Sequence, residues 1–214
     1  MTPKGLFLPG YACTSQIWQM ICGELDSISE PTWVDWPIHD TPGFHQVADF
    51  VHWLYASVEV DQYDFVVGHS LGGLAALQLV AMAEAIEPTV ILIETFLTPP
   101  APFFQNLLLD KAASEPEQFI PVMLSREKAH YSPVLGDRLR EADMMEWVLT
   151  RKKTVHALYG DRGSGVPEKV VNELKWPERL SACVDVIVIP GACHFPMIEN
   201  PSATLKGLRR ILDL

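Results

Sequence analysis

One stretch, "FVVGHSLGGLAALQLV" (65–80), limits what this chain can fold into more than any other. An apolar run passes into a helical pattern across Gly68-His69-Ser70-Leu71-Gly72, a G-x-S-x-G sequence in the strand-to-helix context it requires. Small residues two before and two after the serine let strand and helix approach closely. The serine is left on a sharp, strained turn with its hydroxyl exposed. Ser70 is therefore the candidate nucleophile. The Leu71 amide opens the following helix, where free N–H groups and the helix dipole can stabilise an oxyanion. A glycine-rich turn could serve packing alone, but the flanking apolar strand, Gly73 and a helix rich in Ala and Leu favour the catalytic reading.

Similar units recur along the chain. Short apolar runs closed by Gly or Pro, each followed by a longer amphipathic stretch, are the pattern of βα units around a parallel sheet. Strands are predicted at Gly5–Leu8, Thr32–Trp36, Phe65–Gly68, Val90–Ile93, Val155–Tyr159 and Asp185–Ile189. Helices are predicted at Gln16–Leu25, Phe44–Val58, Leu71–Glu84, Pro167–Lys175 and Pro201–Leu212. Near-continuous Val and Ile in Val90–Ile93 and Asp185–Ile189 suggest strands covered on both faces. Between residues 98 and 153 the pattern changes: "TPPAPFFQNLLLD" is proline-rich and aromatic, and "GDRLREADMMEWVLTRKK" reads as one amphipathic helix. The expectation is a three-layer α/β/α fold with a mostly parallel central sheet. A helical insertion interrupts it, either a further packed helix or a lid over a pocket.

Composition removes several classes of function. With 214 residues, 48% of them hydrophobic, the chain can bury a sizeable core as one domain. A formal net charge of −11 argues against a nucleic-acid partner, since that affinity comes mainly from Lys and Arg neutralising phosphates. The first ten residues lack the apolar core of a signal peptide, and no run approaches the roughly 20 apolar residues of a membrane span. Cys13, Cys22, Cys183 and Cys193 have neither CxxC nor zinc-ligand spacing, which fits reduced thiols and a cytoplasmic location. They read as small buried hydrophobes.

Four stretches together give the chain its likeness: it resembles an α/β-hydrolase. The elbow around Ser70 is the first. "LFLPGYACTSQIW" resembles that family's first oxyanion loop, and by that match the Tyr11 amide is the second oxyanion donor. "VDWPIHDTPG" resembles its structural Asp-x-Pro-x-His turn, with Ile38 where Gly is usual. "PGACHFPMIENP" resembles its catalytic-histidine loop and makes His194 the general base. The likeness implies one hydrolase domain over 1–214, its core at 1–97 and 154–214 and a lid insertion at 98–153.

Two residues of the reaction can also be weighed from order and chemistry. His194 follows a predicted strand late in the chain, as the order serine, acid, histidine requires. Its imidazole titrates near physiological pH and can take and return the serine proton. His69 neighbours Ser70 but reads as structural, and His39 as a hydrogen-bonded turn residue. The acid is less determined. The family's loop reading Gly-x-x-Asp-x-x-Val-Pro matches Gly160–Pro167, but Gly163 fills the acid's slot. Asp161, two residues earlier, is the first candidate for the acid, provided the loop rearranges. Glu94, which ends the apolar strand "TVILIE" at the sheet's carboxyl edge, is its rival.

These residues imply a serine-dependent hydrolase of a small-molecule carboxylic ester or acyl thioester, working through an acyl-enzyme without metal or cofactor. The "PPAPFFQNLLL" stretch and Met144 and Met145 are expected to line a pocket for an apolar acyl part. Two alternatives stand beside this: a C–C hydrolase or lyase on the same scaffold, and a non-hydrolytic ligand-binding protein.

Overall fold

The computed structural model describes residues 2–83, 87–109 and 118–213. Six strands make one sheet: β1 (Lys4–Leu8), β2 (Glu30–Trp33), β3 (Phe65–His69), β4 (Thr89–Ile93), β5 (Val155–Gly160) and β6 (Val184–Ile189). They lie in the order β2-β1-β3-β4-β5-β6, every neighbouring pair parallel. The α-helices are α1 (Cys22–Ile28), α2 (Val47–Ser57), α3 (Leu71–Val80), α4 (Phe119–Lys128), α5 (Leu135–Arg140), α6 (Met145–Leu149), α7 (Pro167–Glu173), α8 (Glu178–Ser181), α9 (Pro196–Glu199) and α10 (Pro201–Leu212).

Alternation along the strands divides the apolar residues between two cores. On one face Leu6, Leu8, Val66 and Leu92 pack with Phe50 and Leu54 of α2 and with Leu74 and Leu77 of α3. On the other, Phe7, Val67, Ile91 and Ile93 pack with Leu25 of α1 and with Leu205 and Leu208 of α10. The result is the three-layer α/β/α arrangement, with helices on both faces of a parallel sheet. Helix α3 is buried nearly all round, as its Ala- and Leu-rich sequence requires. At the start of α2, Asp49 accepts hydrogen bonds from the His45 and Gln46 amides at 2.7 and 3.1 Å. The α10 start carries Pro201, and the Asn200 side chain accepts the Ala203 amide at 3.1 Å.

Several boundaries differ from expectation. The helix predicted over Gln16–Leu25 is a short 3-10 turn at Ser15–Trp18 followed by α1. Asp35 accepts both the Ser15 amide, at 2.5 Å, and its hydroxyl, tying that turn to the sheet edge. Strand β2 starts and stops earlier than Thr32–Trp36: Trp36 has left the sheet and donates its indole N–H to the Pro9 carbonyl at 3.0 Å. Strand β6 is an edge strand with four half-buried residues, so continuous Val and Ile did not mean cover on both faces there. Residue Glu84 of the predicted Leu71–Glu84 helix lies outside the described residues, as do 110–117 of the expected insertion.

The segment between β4 and β5 carries α4, α5 and α6. The single amphipathic helix expected from "GDRLREADMMEWVLTRKK" is in fact α5 and α6 with a break between them. At the break the Met144 amide donates to the Leu97 carbonyl at 2.8 Å, and Asp143 accepts the Met145 amide at 2.9 Å. Those bonds end one helix and start the next.

Candidate active site

Ser70 stands between β3 and α3 with φ 50° and ψ −115°, a conformation that side-chain-bearing residues rarely adopt. Close packing imposes it. A Cβ at Gly68 would lie 2.4 Å from the Gly72 carbonyl, and one at Gly72 would lie 2.3 Å from the Leu8 carbonyl. Only glycine leaves room for α3 to start directly against β1 and β3. The Ser70 amide is held by the Ile93 carbonyl at 2.9 Å, and the Thr95 hydroxyl donates to the Ser70 carbonyl at 3.1 Å. Among the described residues neither the Leu71 nor the Tyr11 amide has an acceptor.

His194 and Ser70 line one cavity of about 650 Å³, together with Tyr11, Leu71, Phe96 and Phe104. The histidine loop is fastened from three sides. Glu199 accepts the Cys193 amide at 2.8 Å and the Phe195 amide at 3.0 Å. The His194 amide donates to the Leu107 carbonyl at 3.1 Å, and the His194 carbonyl lies 2.8 Å from Nε2 of His69. His69 is therefore structural, as its neighbour position suggested, and its contribution is specific, because it holds the main chain of the other histidine. Burial, then the proximity of His194, push the His69 pKa well below its ordinary value, so it donates as a neutral imidazole.

The carboxylate brought to His194, among the described residues, is Glu94: its Oε2 lies 3.4 Å from His194 Nδ1. Asp161, the first choice from sequence, is occupied elsewhere. Its Oδ1 accepts the Gly163 and Gly191 amides, both at 2.8 Å, and its Oδ2 accepts the Gly165 amide at 3.1 Å. The loop has not rearranged to bring Asp161 inward; its glycines instead let three amides converge on that carboxylate.

Glu94 caps β4 in the left-handed region, φ 49°, and its amide donates to the Leu158 carbonyl at 2.9 Å. This turns the fully buried side chain across the end of β5, where Oε1 accepts the Gly160 amide at 2.6 Å. The residue that sequence reasoning missed is Arg162. Its Nη1 donates to Glu94 Oε1 at 2.6 Å and its Nη2 to Oε2 at 2.5 Å, a bidentate pair with side chains only 4% and 0% exposed. The guanidinium carbon stands 4.7 Å from the centre of the Phe104 ring. Burial alone would raise the Glu94 pKa. The Arg162 hydrogen bonds and charge, with a smaller contribution from His194, outweigh it and hold the carboxyl below its ordinary value. An Arg beside the Asp of a Gly-rich loop was the available signal, and it is weak without the fold.

Burial pushes the Cys193 thiol up to about 12, with the Glu199 charge adding to the rise, which makes it a poor nucleophile despite its place beside His194. Met144 and Met145 do not line the cavity; Met144 is buried in the core on α3's side of the sheet. From the proline-rich stretch, Pro100, Phe104, Gln105 and Leu107 do line it. No group of three or more His, Cys, Asp or Glu among the described residues has metal-binding geometry, and no described helix is long and apolar enough to cross a membrane.

Comparison with known proteins agrees with this fold. The family described as "Alpha/beta hydrolase family" matches residues 6–206. No curated protein sequence matches the chain. Among solved structures, an esterase from Exiguobacterium antarcticum superposes with a TM-score of 0.76 at 11% identity, covering 99% of this chain and 92% of that one. A bacterial membrane phospholipase A, described as a virulence factor, gives 0.71 at 16%, covering 99% and 79%. The 2-hydroxy-6-oxo-6-phenylhexa-2,4-dienoate hydrolase of Rhodococcus sp. strain RHA1 gives 0.65 at 16%, covering 100% and 91%. At such identities these likenesses establish the shared fold.

Proposed function

This chain belongs to the alpha/beta hydrolase family, and on that premise we propose that it is a serine hydrolase of carboxylic esters or thioesters with an apolar acyl part. The observation that carries the proposal is the joint placement of Ser70 and His194 on one cavity, with His194 Nδ1 3.4 Å from the buried Glu94 carboxylate.

In this mechanism His194 Nε2 takes the Ser70 proton as Oγ bonds to the substrate carbonyl carbon, and the carbonyl π electrons move to oxygen. The Tyr11 and Leu71 amides donate to that oxyanion, the second with the help of the α3 dipole. Glu94, in place of Asp161, accepts the other imidazole N–H and stabilises the imidazolium. As the intermediate collapses, the bond to the leaving oxygen or sulfur breaks and the leaving group takes the proton from His194. Water, deprotonated by the same imidazole, then cleaves the acyl-Ser70 ester by the reverse sequence. Arg162 acts as a positioning residue: it holds both Glu94 oxygens and keeps the carboxylate ionised in a site where burial favours the neutral acid.

Apolar walls from Leu74, Phe96, Pro100, Phe104 and Leu107 support an apolar acyl group. The vacated acid slot at Gly163 lends support to the ligand-binding alternative; Glu94 Oε2, 3.4 Å from His194 Nδ1, favours the hydrolase reading over it. Labelling with a fluorophosphonate, followed by mass spectrometry, tests the proposal. An adduct on Ser70, absent from Ser70→Ala, is the expected result; a folded protein that stays unlabelled refutes it.

A further inference from the structure

The cavity has a charge asymmetry that acyl transfer itself does not need. From α4, Leu124, Ser125 and Lys128 reach the wall; from α5, Gly136, Leu139 and Arg140 do so. Those spacings set each trio on one helical face, so each helix presents an apolar residue and a cation to the same space. Apart from His194, Lys128 and Arg140 are the ionisable basic groups on the described wall, and no Asp or Glu lies on it. This runs against composition, since the chain has 27 acidic and 16 basic residues.

Each cation is the last residue of its helix, where a positive charge complements the helix dipole. That explains a basic residue in each last turn but not the face it occupies. Arg126 and Arg138 share the same last turns and do not line the cavity. Lys128 has no ion-pair partner among the described residues. Arg140 pairs with Asp137, but both side chains are largely exposed, so the pair is weak and Arg140 stays available. Arg140 also acts on Tyr11, where burial raises the phenol's pKa and the Arg140 charge offsets part of the rise. Arg140 thus acts on the residue whose amide is assigned to the oxyanion.

We propose that Lys128 and Arg140 form an anion subsite at the mouth of the cavity, and that the substrate is an ester or thioester whose otherwise apolar body carries a carboxylate or phosphate. The subsite rests on the ester-hydrolase reading above and narrows its substrate class. Low-dielectric apolar walls in the same cavity focus the field of the two exposed cations on a ligand that enters it. Because both are exposed, the preference is modest: about tenfold in kcat/KM at low salt.

Two matched ester pairs test it. In the first, p-nitrophenyl esters of equal chain length end either in a carboxylate or in its methyl ester. In the second, hexanoyl esters have either 4-hydroxybenzoate or its methyl ester as leaving group. We expect the charged member of one pair to be favoured about tenfold, chiefly through KM, with the ratio falling towards one in 0.5 M NaCl and in Lys128→Gln/Arg140→Gln. The pair that responds identifies whether the anion belongs to the acyl or the leaving side. Ratios near one in both pairs, or a preference that survives the double substitution, overturn the subsite. Calorimetric titration of Ser70→Ala with monomethyl adipate and with dimethyl adipate separates this from the hydrolase reading. Preference for the monoanion, lost on double substitution, upholds the subsite even if Ser70 proves unreactive; equal binding overturns it whatever Ser70 does.

Discussion

Arg162 and His194 meet on one atom: Nη2 of Arg162 lies 2.5 Å from Oε2 of Glu94, and Nδ1 of His194 lies 3.4 Å from the same oxygen. The acid that faces the histidine is thus already half of a buried ion pair. Glu94 gains a fixed orientation from this, and His194 shares the carboxylate's charge with a permanent cation. A second carboxylate, Asp161, sits one residue from Arg162 and accepts amides from its own loop and from Gly191 of the histidine loop.

The two carboxylates should therefore separate activity from stability. Glu94→Gln is expected to lower kcat by roughly a hundredfold or more, because the amide cannot stabilise the imidazolium. Asp161→Asn should leave kcat within a few-fold while costing about 1–3 kcal/mol, since it weakens a carboxylate that accepts three amides. Steady-state kinetics and urea unfolding on both variants check this. Equal losses of kcat would remove Glu94 from its assigned role.

Two periodicities made most of this fold legible in the sequence. Parallel strands such as Val90–Ile93 read as apolar runs, and α10 is predicted over its observed bounds, marked by Asn200 and Pro201 at its start. The elbow was legible for a different reason: its G-x-S-x-G spacing is local, and Gly68 packs against Gly72 and Gly73 within the turn, although the contact that demands Gly72 is with the distant Leu8 carbonyl. The proposed acid, Glu94, was not, because its position depends on how β4 and β5 lie side by side. Nothing local to "TVILIE" says that Glu94 turns across the end of β5, or that Arg162 comes to meet it. The break between α5 and α6 was hidden likewise, since the Leu97 carbonyl that takes the Met144 amide is 47 residues away in sequence.

Arg162→Met is expected to destabilise the protein by about 3–5 kcal/mol, because it leaves a buried carboxylate without its partner. The cost should be smaller in Arg162→Met/Glu94→Leu, where no charge is left unpaired. Chemical denaturation of these two variants and of Glu94→Leu gives the comparison. If the double variant were the less stable by the sum of two independent losses, the pair would not be coupled as the geometry requires.

Stability should fall with acid in two stages, each of settled sign. The folded pKa of His69 lies below its unfolded value of about 6.5, so the unfolded chain binds the proton first and stability is lost as pH falls below that value. The slope approaches about 1.4 kcal/mol per pH unit. Glu94, also lowered on folding, contributes stability that is present above about pH 4.3 and disappears as pH drops further through its folded pKa. Thermal unfolding from about pH 2 to pH 8 measures both, and His69→Gln should flatten the upper stage while leaving the lower one.

The strain at Ser70 predicts a stability that function opposes. A residue with a Cβ at φ 50° and ψ −115° costs on the order of 1–3 kcal/mol, and glycine adopts that conformation without the penalty. Glycine also loses more conformational entropy on folding, which offsets part of the gain. Ser70→Gly is therefore expected to exceed Ser70→Ala in stability by about 1 kcal/mol, both variants being inactive. The alanine control matters because it removes the hydroxyl yet keeps the Cβ, so the difference between the two reads backbone strain less the entropy that glycine loses on folding. Equal unfolding midpoints would mean that the strain is no larger than glycine's entropy penalty of about 0.5–1 kcal/mol. A clear excess for glycine would mean that the fold spends stability to present the Ser70 hydroxyl to the cavity.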